Sequence, residues 1–177
     1  MRSETQPVRG RMGTIQSRRS IRKYTDERVS DEIVTEILKA AMSAPSAGNQ
    51  RPWHFVVVRN KDVLDLVPAI HAHAAMVPHA SVLIAVCADM RSLKFRGYWV
   101  QDCSAASENV LLAAHEMGLG AVWTGVYPTK KRVEGFRRLL GLPEYVVPFS
   151  FIPVGYPAES PPEANRFDPS RVHYDRW

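Results

Sequence analysis

Cationic and hydroxyl side chains concentrate in one short segment near the start of the chain. Arg18, Arg19, Ser20 and Arg22 fall within five positions. Arginine presents a planar fork of donors that matches phosphate oxygens, and serine adds a short neutral donor. In a helix or turn, residues three or four apart share a face, so Arg18 and Arg22 can converge. The segment indicates a phosphate-binding site, and a solvated basic face is the alternative.

A second polar segment, residues 44–55, leads from a predicted helix into a predicted strand. The small or polar side chains at 46–49 let backbone groups approach a ligand closely. Pro52 favours an extended conformation of Arg51 and leads into the strand. An ordinary helix-to-strand loop has a similar composition, so this segment gains weight only in combination with the first.

The remaining residues predict alternating helices and strands. Ser30 is a suitable N-cap for a helix over 30–44, whose apolar residues recur at helical spacing. The apolar run 82–86 is typical of a strand buried on both faces. A helix from Asp102, with Asp102 as its cap, is apolar on much of its circumference and is therefore expected to be central. The predicted elements are helices at 14–20, 30–44, 62–72, 102–117 and 130–140, and strands at 54–59, 81–88, 121–126 and 149–155.

The composition is that of one globular domain. The chain has 177 residues, 45% of them hydrophobic, which is enough for a single core. No apolar run approaches the ~20 residues of a membrane-spanning helix, and residues 1–13 lack the apolar stretch of a signal peptide. We therefore expect a flexible basic arm at 1–13, a cytoplasmic protein and no membrane partner.

Neither nucleic acid nor a metal ion is expected as a ligand. The net charge of +5 is spread along the chain and forms no nucleic-acid-binding motif. His71, His73 and His79 lack the further ligands that would complete a metal site, and Cys87 and Cys103 are not in a metal-binding spacing. Cys87 falls within an apolar strand, as a buried thiol does.

Four segments of the chain together resemble the nitroreductase family of flavin oxidoreductases. They are Arg18-Arg19-Ser20, residues 44–53, residues 119–125, and residues 154–157 with Arg166 beyond them. The resemblance extends over 14–177 and implies a single domain that binds flavin mononucleotide (FMN). The implied fold is α+β, with three layers (α/β/α) around a central mixed sheet. The resemblance also implies an intertwined homodimer with FMN at the interface, in which residues 158–177 wrap the partner subunit.

The resemblance further implies which residues contact FMN. One subunit supplies cations and a hydroxyl to the phosphate, the ribityl chain and one ring edge, and backbone groups near N5. The other subunit supplies a loop against the ring. Arg51 stands where relatives often have glutamine, and it reaches flavin or substrate or faces solvent. The implied residues are Arg18, Arg19, Ser20, Arg22, Thr124, Gly125 and Arg166 from the first subunit, and Pro45, Ser46, Ala47, Asn49 and Arg51 from the second.

The implied activity is hydride transfer from NAD(P)H through flavin N5 to a nitroaromatic or quinone-like acceptor, by a ping-pong mechanism. It needs no catalytic side chain, because FMN carries the chemistry. Two alternatives remain: different chemistry on the same fold, such as dehalogenation, flavin fragmentation or azoline oxidation, and a non-catalytic flavin-binding regulator. His73 and Met76 have no assigned role.

Overall fold

The computed structural model describes residues 13–177. The basic arm predicted for 1–13 lies outside this range except for Gly13, which begins the first helix. The helices are α1 (Gly13–Ser17), α2 (Asp31–Met42), α3 (Lys61–Ile70), α4 (Trp99–Glu116) and α5 (Lys130–Leu139). The strands are β1 (Trp53–Val58), β2 (Val82–Asp89), β3 (Gly120–Ala121), β4 (Thr124–Gly125) and β5 (Val146–Gly155).

The five strands form one sheet in the order β1-β2-β5-β3, with β4 also paired to β5. Neighbouring named strands all run antiparallel. The expectation of a mixed sheet therefore needs correction. Within residues 13–177, the parallel component is an isolated bridge between Ser20 and Ala121.

Helices cover both faces of the sheet, which confirms the three-layer α+β fold. Alternate residues of β2 contribute to two separate cores, and all eight residues of this strand are buried. One core packs α2 and α4 against Val82, Ile84 and Val86. The other packs α3 and α5 against Leu83, Ala85 and Cys87.

Local signals explain where α2 begins and where α4 ends. Ser30 caps α2, because its Oγ accepts a hydrogen bond from the Ile33 N–H at 3.3 Å. Gly118 has φ +75° just beyond α4, a backbone conformation that glycine adopts without strain. The prediction that Asp102 caps α4 was wrong. The helix begins at Trp99, so Asp102 lies one turn inside it and its buried carboxylate faces another element.

The segment 20–25 lies beside β3 and the end of β5, and it places polar residues on this side of the sheet. The Ile21 N–H donates to the Ala121 carbonyl at 3.0 Å, and the Thr25 N–H donates to the Tyr156 carbonyl at 2.9 Å. β3 and β4 share one register against β5. Together they correspond to the single strand predicted at 121–126, which the structure shows with an interruption. Among the described residues, no helix combines the length and apolar character needed to cross a membrane.

Candidate functional site

A cleft of about 680 Å³, here called the cationic cleft, lies between α1 and the C-terminal tail. Arg18, Arg19 and Arg166 line it, as the resemblance implied for a phosphate site. The Arg18 side chain is only 19% exposed, and its Nε lies 3.3 Å from Oε1 of Glu108. That approach lacks hydrogen-bond geometry, so within residues 13–177 the buried Nε has no hydrogen-bond partner. Glu108 offsets part of the Arg18 charge, and the three arginines around one cleft still suit an anionic ligand.

Arg19 has a different role from Arg18 in this structure. Its Nε donates to the Pro162 carbonyl at 2.9 Å, and its Nη1 donates to the Gln16 carbonyl at 2.7 Å. Nη1 also reaches the Arg18 carbonyl at 2.8 Å. The Arg19 guanidinium therefore binds backbone oxygens and ties the C-terminal tail to α1.

A second cleft of about 460 Å³ lies beside β4. Arg22, Thr124 and Gly125 line it. The Thr124 hydroxyl donates to the Phe151 carbonyl at 2.7 Å. Its hydrogen is therefore already used and does not point to a ligand in the cleft. Ser20 lines neither cleft; its backbone pairs with Ala121, between the residues that serve the two clefts.

Sequence reasoning did not assign Arg132 and His71, which also line the second cleft. Arg132 Nη1 donates to the Gly125 carbonyl at 3.0 Å and so fixes the backbone at the cleft wall. One signal was available in the sequence. The first turn of α5 carries Lys130, Lys131 and Arg132 and no acidic residue, although a helix N-terminus favours negative charge.

His71 contributes a buried imidazole to the second cleft. Its side chain is buried, and burial together with the nearby Arg132 lowers the pKa of the imidazole. Its Nδ1 accepts from the His73 N–H at 3.2 Å, which places the remaining ring hydrogen on Nε2. The fixed positive charges at this cleft are therefore those of Arg22 and Arg132. Within residues 13–177, no three His, Cys, Asp or Glu side chains are grouped closely enough to hold a metal ion.

The loop 45–51 lines neither of these two clefts. Pro45, Asn49 and Arg51 are exposed, and Ser46 and Ala47 are partly buried. A hydrogen bond within the loop joins its two ends, since the Ser46 Oγ accepts from the Arg51 N–H at 3.0 Å. Within one chain, the residues implied for the first subunit, except Ser20, line the two clefts. The loop implied for the second subunit lies away from both clefts.

Asp102 and Gln50 hold this loop, and sequence reasoning assigned neither contact. Asp102 Oδ1 accepts from the Ala47 N–H at 2.9 Å, and its Oδ2 accepts from Gln50 Nε2 at 2.6 Å. Gln50 Oε1 in turn accepts from the N–H groups of Lys94 and Phe95 at 3.0 and 2.9 Å. The loop is therefore connected to α4 and to the segment that precedes α4.

Known proteins share this sequence and fold. The family model described as "Nitroreductase family" matches residues 15–98 and 70–156. A protein of Methanothermobacter thermautotrophicus named "Putative NADH dehydrogenase/NAD(P)H nitroreductase" is 58% identical over 163 residues, which cover 92% of this chain and 85% of that protein.

Solved structures give the same result. The structure named "FMN-dependent Nitroreductase" from Clostridium difficile has a TM-score of 0.87 and 31% identity, covering 94% of this chain and 99% of that one. The structure described as "a putative nitroreductase in complex with fmn" from Desulfovibrio desulfuricans has a TM-score of 0.82 and 34% identity, covering 98% and 99%. This chain belongs to the nitroreductase family.

Proposed function

We propose that the protein is an FMN-dependent oxidoreductase that takes hydride from NAD(P)H and passes it to a nitroaromatic or quinone-like acceptor. When bound, FMN supplies the hydride chemistry at its N5, and donor and acceptor use the site in turn. The observation that carries the proposal is the convergence of Arg18, Arg19 and Arg166 on one cleft.

The cationic cleft fits a phosphate dianion. A phosphate there would accept from the guanidinium groups of Arg18 and Arg166, which both line the cleft. Each hydrogen bond to a charged group contributes about 1.5–3 kcal/mol. The cleft volume of about 680 Å³ is within the usual size of a small-molecule site, on the order of 300–1,000 Å³.

The second cleft suits the ring end of the same ligand. Segment 18–22 supplies residues to both clefts, so a ligand that follows this segment can reach from one to the other. Arg22 and Arg132 place fixed positive charge where negative charge develops on reduction.

We also propose that the site is completed by a second copy of the chain. The loop 45–51 exposes Pro45 and Asn49 and lines neither cleft of its own chain, as expected of a loop that serves the partner's site. The tail beyond β5 exposes Phe167 by 76%, Tyr174 by 86% and Trp177 fully. Large apolar side chains of this kind favour burial in an interface.

Steady-state kinetics test the proposed activity. FMN-loaded protein is assayed with NADH or NADPH against a quinone and a nitroaromatic acceptor. Alternating use of one site predicts parallel double-reciprocal lines as the acceptor concentration is varied. Converging lines would contradict the ping-pong order. Bound FMN that neither NADH nor NADPH reduces would contradict the proposed activity and favour a non-catalytic flavin-binding regulator.

A further inference from the structure

A buried polar pair, Asp102 and Gln50, connects three parts of the chain. The two residues are 4% and 7% exposed. A buried carboxylate is unfavourable unless its oxygens are hydrogen bonded. Here one oxygen accepts from the Ala47 N–H at 2.9 Å, and the other accepts from the Gln50 amide at 2.6 Å. Asp102 thus directs both of its acceptors at the loop 45–51.

The Gln50 side chain extends this connection to the segment before α4. Its Oε1 accepts from the backbone N–H groups of Lys94 and Phe95. Its Nε2 also lies 3.3 Å from the Phe95 carbonyl. The oxygen and the nitrogen of the amide therefore both have partners, and these partners fix the orientation of the amide.

The backbone of the loop needs such external support. Gly48, Asn49 and Arg51 have φ values of 53°, 54° and 45°, in the left-handed region that is unfavourable for residues other than glycine. The extended conformation predicted for Arg51 from Pro52 was therefore wrong. At Gly48 the loop also packs directly on Phe95, because a Cβ there would lie 2.2 Å from the ring carbon Cε2. Such a backbone persists where surrounding contacts determine it.

We infer that Asp102 is a positioning residue for the flavin site. Acting through the Ala47 amide and Gln50, it holds the loop 45–51 in the conformation that meets the FMN ring in a second copy of the chain. The inference rests on the proposed function and deepens it. Asp102 itself contacts no cofactor in this account; it directs the groups that do.

The pair offers an exchange that separates positioning from simple stability. Asp102→Asn keeps the side-chain shape but turns one acceptor into a donor, which then faces the Ala47 N–H or the Gln50 amide. Adding Gln50→Glu supplies a carboxylate that accepts from the new amide and from the Lys94 and Phe95 N–H groups. The exchanged pair replaces the donation from Gln50 Nε2 to the Phe95 carbonyl at 3.3 Å with two facing acceptor oxygens, which accounts for incomplete recovery.

Ser107→Ala is the matched control for stability. Ser107 is buried on the same helix, and its hydroxyl lies 2.8 Å from the Ser150 hydroxyl on β5, away from the loop. For each full-length variant we would measure the FMN Kd by flavin fluorescence and the apo-protein unfolding free energy in urea. Ser107→Ala should lower stability and leave the FMN Kd within about twofold of the wild type, since it removes a hydrogen bond that does not touch the loop.

The inference predicts that Asp102→Asn and Gln50→Glu each raise the FMN Kd by about tenfold or more, the equivalent of one disrupted buried hydrogen-bond set. It also predicts that the double variant recovers to within about threefold of the wild type. An unchanged Kd in Asp102→Asn would overturn it. So would a double variant without recovery, or a Ser107→Ala control that weakens FMN binding equally. Wild-type protein that fails to bind FMN would instead overturn the proposed function.

Discussion

At the residue scale, the proposed phosphate site depends most on Arg18. Arg18 lines the cationic cleft and its Nε has no hydrogen-bond partner within residues 13–177, whereas the Arg19 guanidinium is used by backbone carbonyls. We predict that Arg18→Ala raises the FMN Kd by about 10- to 150-fold, because it removes a charged hydrogen bond of about 1.5–3 kcal/mol.

The control for this prediction is Arg28→Ala. It removes the same charge from a side chain that is 72% exposed and paired only loosely with Asp31. Equal FMN affinity in Arg18→Ala and the wild type would show that the phosphate lies elsewhere.

Asp89 gives a prediction about acid stability. Hydrogen bonds from the Arg91 side chain, with a second contribution from the Arg91 backbone N–H, lower the pKa of this carboxyl to about 2. A depressed pKa in the folded state stabilises the fold above the unfolded-state pKa of about 4 and loses that contribution as the pH falls towards 2.

Asp89→Asn should therefore lower stability at neutral pH and flatten the decline between about pH 4 and pH 2. Urea unfolding across this range measures both effects. If the variant and the wild type decline in parallel, other carboxylates control the acid limb.

Some residue-scale features could be predicted from local sequence and others could not. The arginine cluster is visible because its members are close in the chain. The true partners of Asp102 are 52 and 55 positions away, so a local pattern suggested a helix cap instead. The basic first turn of α5 gave a signal for Arg132, but its contact with Gly125 depends on the placement of α5 in the fold.

At the element scale, the position of segment 20–25 depends on close packing against β3. Gly120 is buried, and a Cβ there would lie 2.5 Å from Cγ2 of Ile21. We predict that Gly120→Ala destabilises the fold by about 1–3 kcal/mol, because it forces Ile21 and the neighbouring Arg22 outward.

Gly97→Ala is the comparison for this variant, because nothing lies within 4 Å of a Cβ at that position. Urea unfolding gives the free-energy difference. Two variants of equal stability would mean that Ile21 moves aside without cost, and that the segment is not held in place by this contact.

The existence and order of the main elements could be predicted because each carries a strong periodic pattern. All four predicted strands match observed strands, with the one at 121–126 present as β3 and β4. The prediction of a mixed sheet was wrong, because the relative direction of two strands depends on pairing between residues that are distant in the chain. The start of α4 was placed three residues late because a plausible capping residue, Asp102, lies inside it.

At the scale of the whole molecule, the proposal is that two chains share each site. The chain keeps loop 45–51 away from its own two clefts. Each site would combine Arg18 of one chain with the loop of the other. Coexpression of differently tagged chains tests this arrangement directly.

A hybrid dimer of one Arg18→Ala chain and one Asp102→Asn chain should retain one intact site, since both defects fall in the other site. A hybrid of the double variant and the wild type should have no intact site, because each site carries one defect. We predict one tightly bound FMN in the first hybrid and none in the second, measured by flavin absorbance after dialysis. Equal FMN content in the two hybrids would contradict sites shared between chains.

The central claim is that the cationic cleft and the second cleft together hold FMN that NAD(P)H reduces. The most direct measurement is the visible absorbance spectrum of the purified, FMN-loaded protein, followed by anaerobic addition of NADH and then NADPH. We predict flavin bands that persist through gel filtration and bleach on addition of at least one of these donors. A colourless protein that fails to retain added FMN would contradict the account.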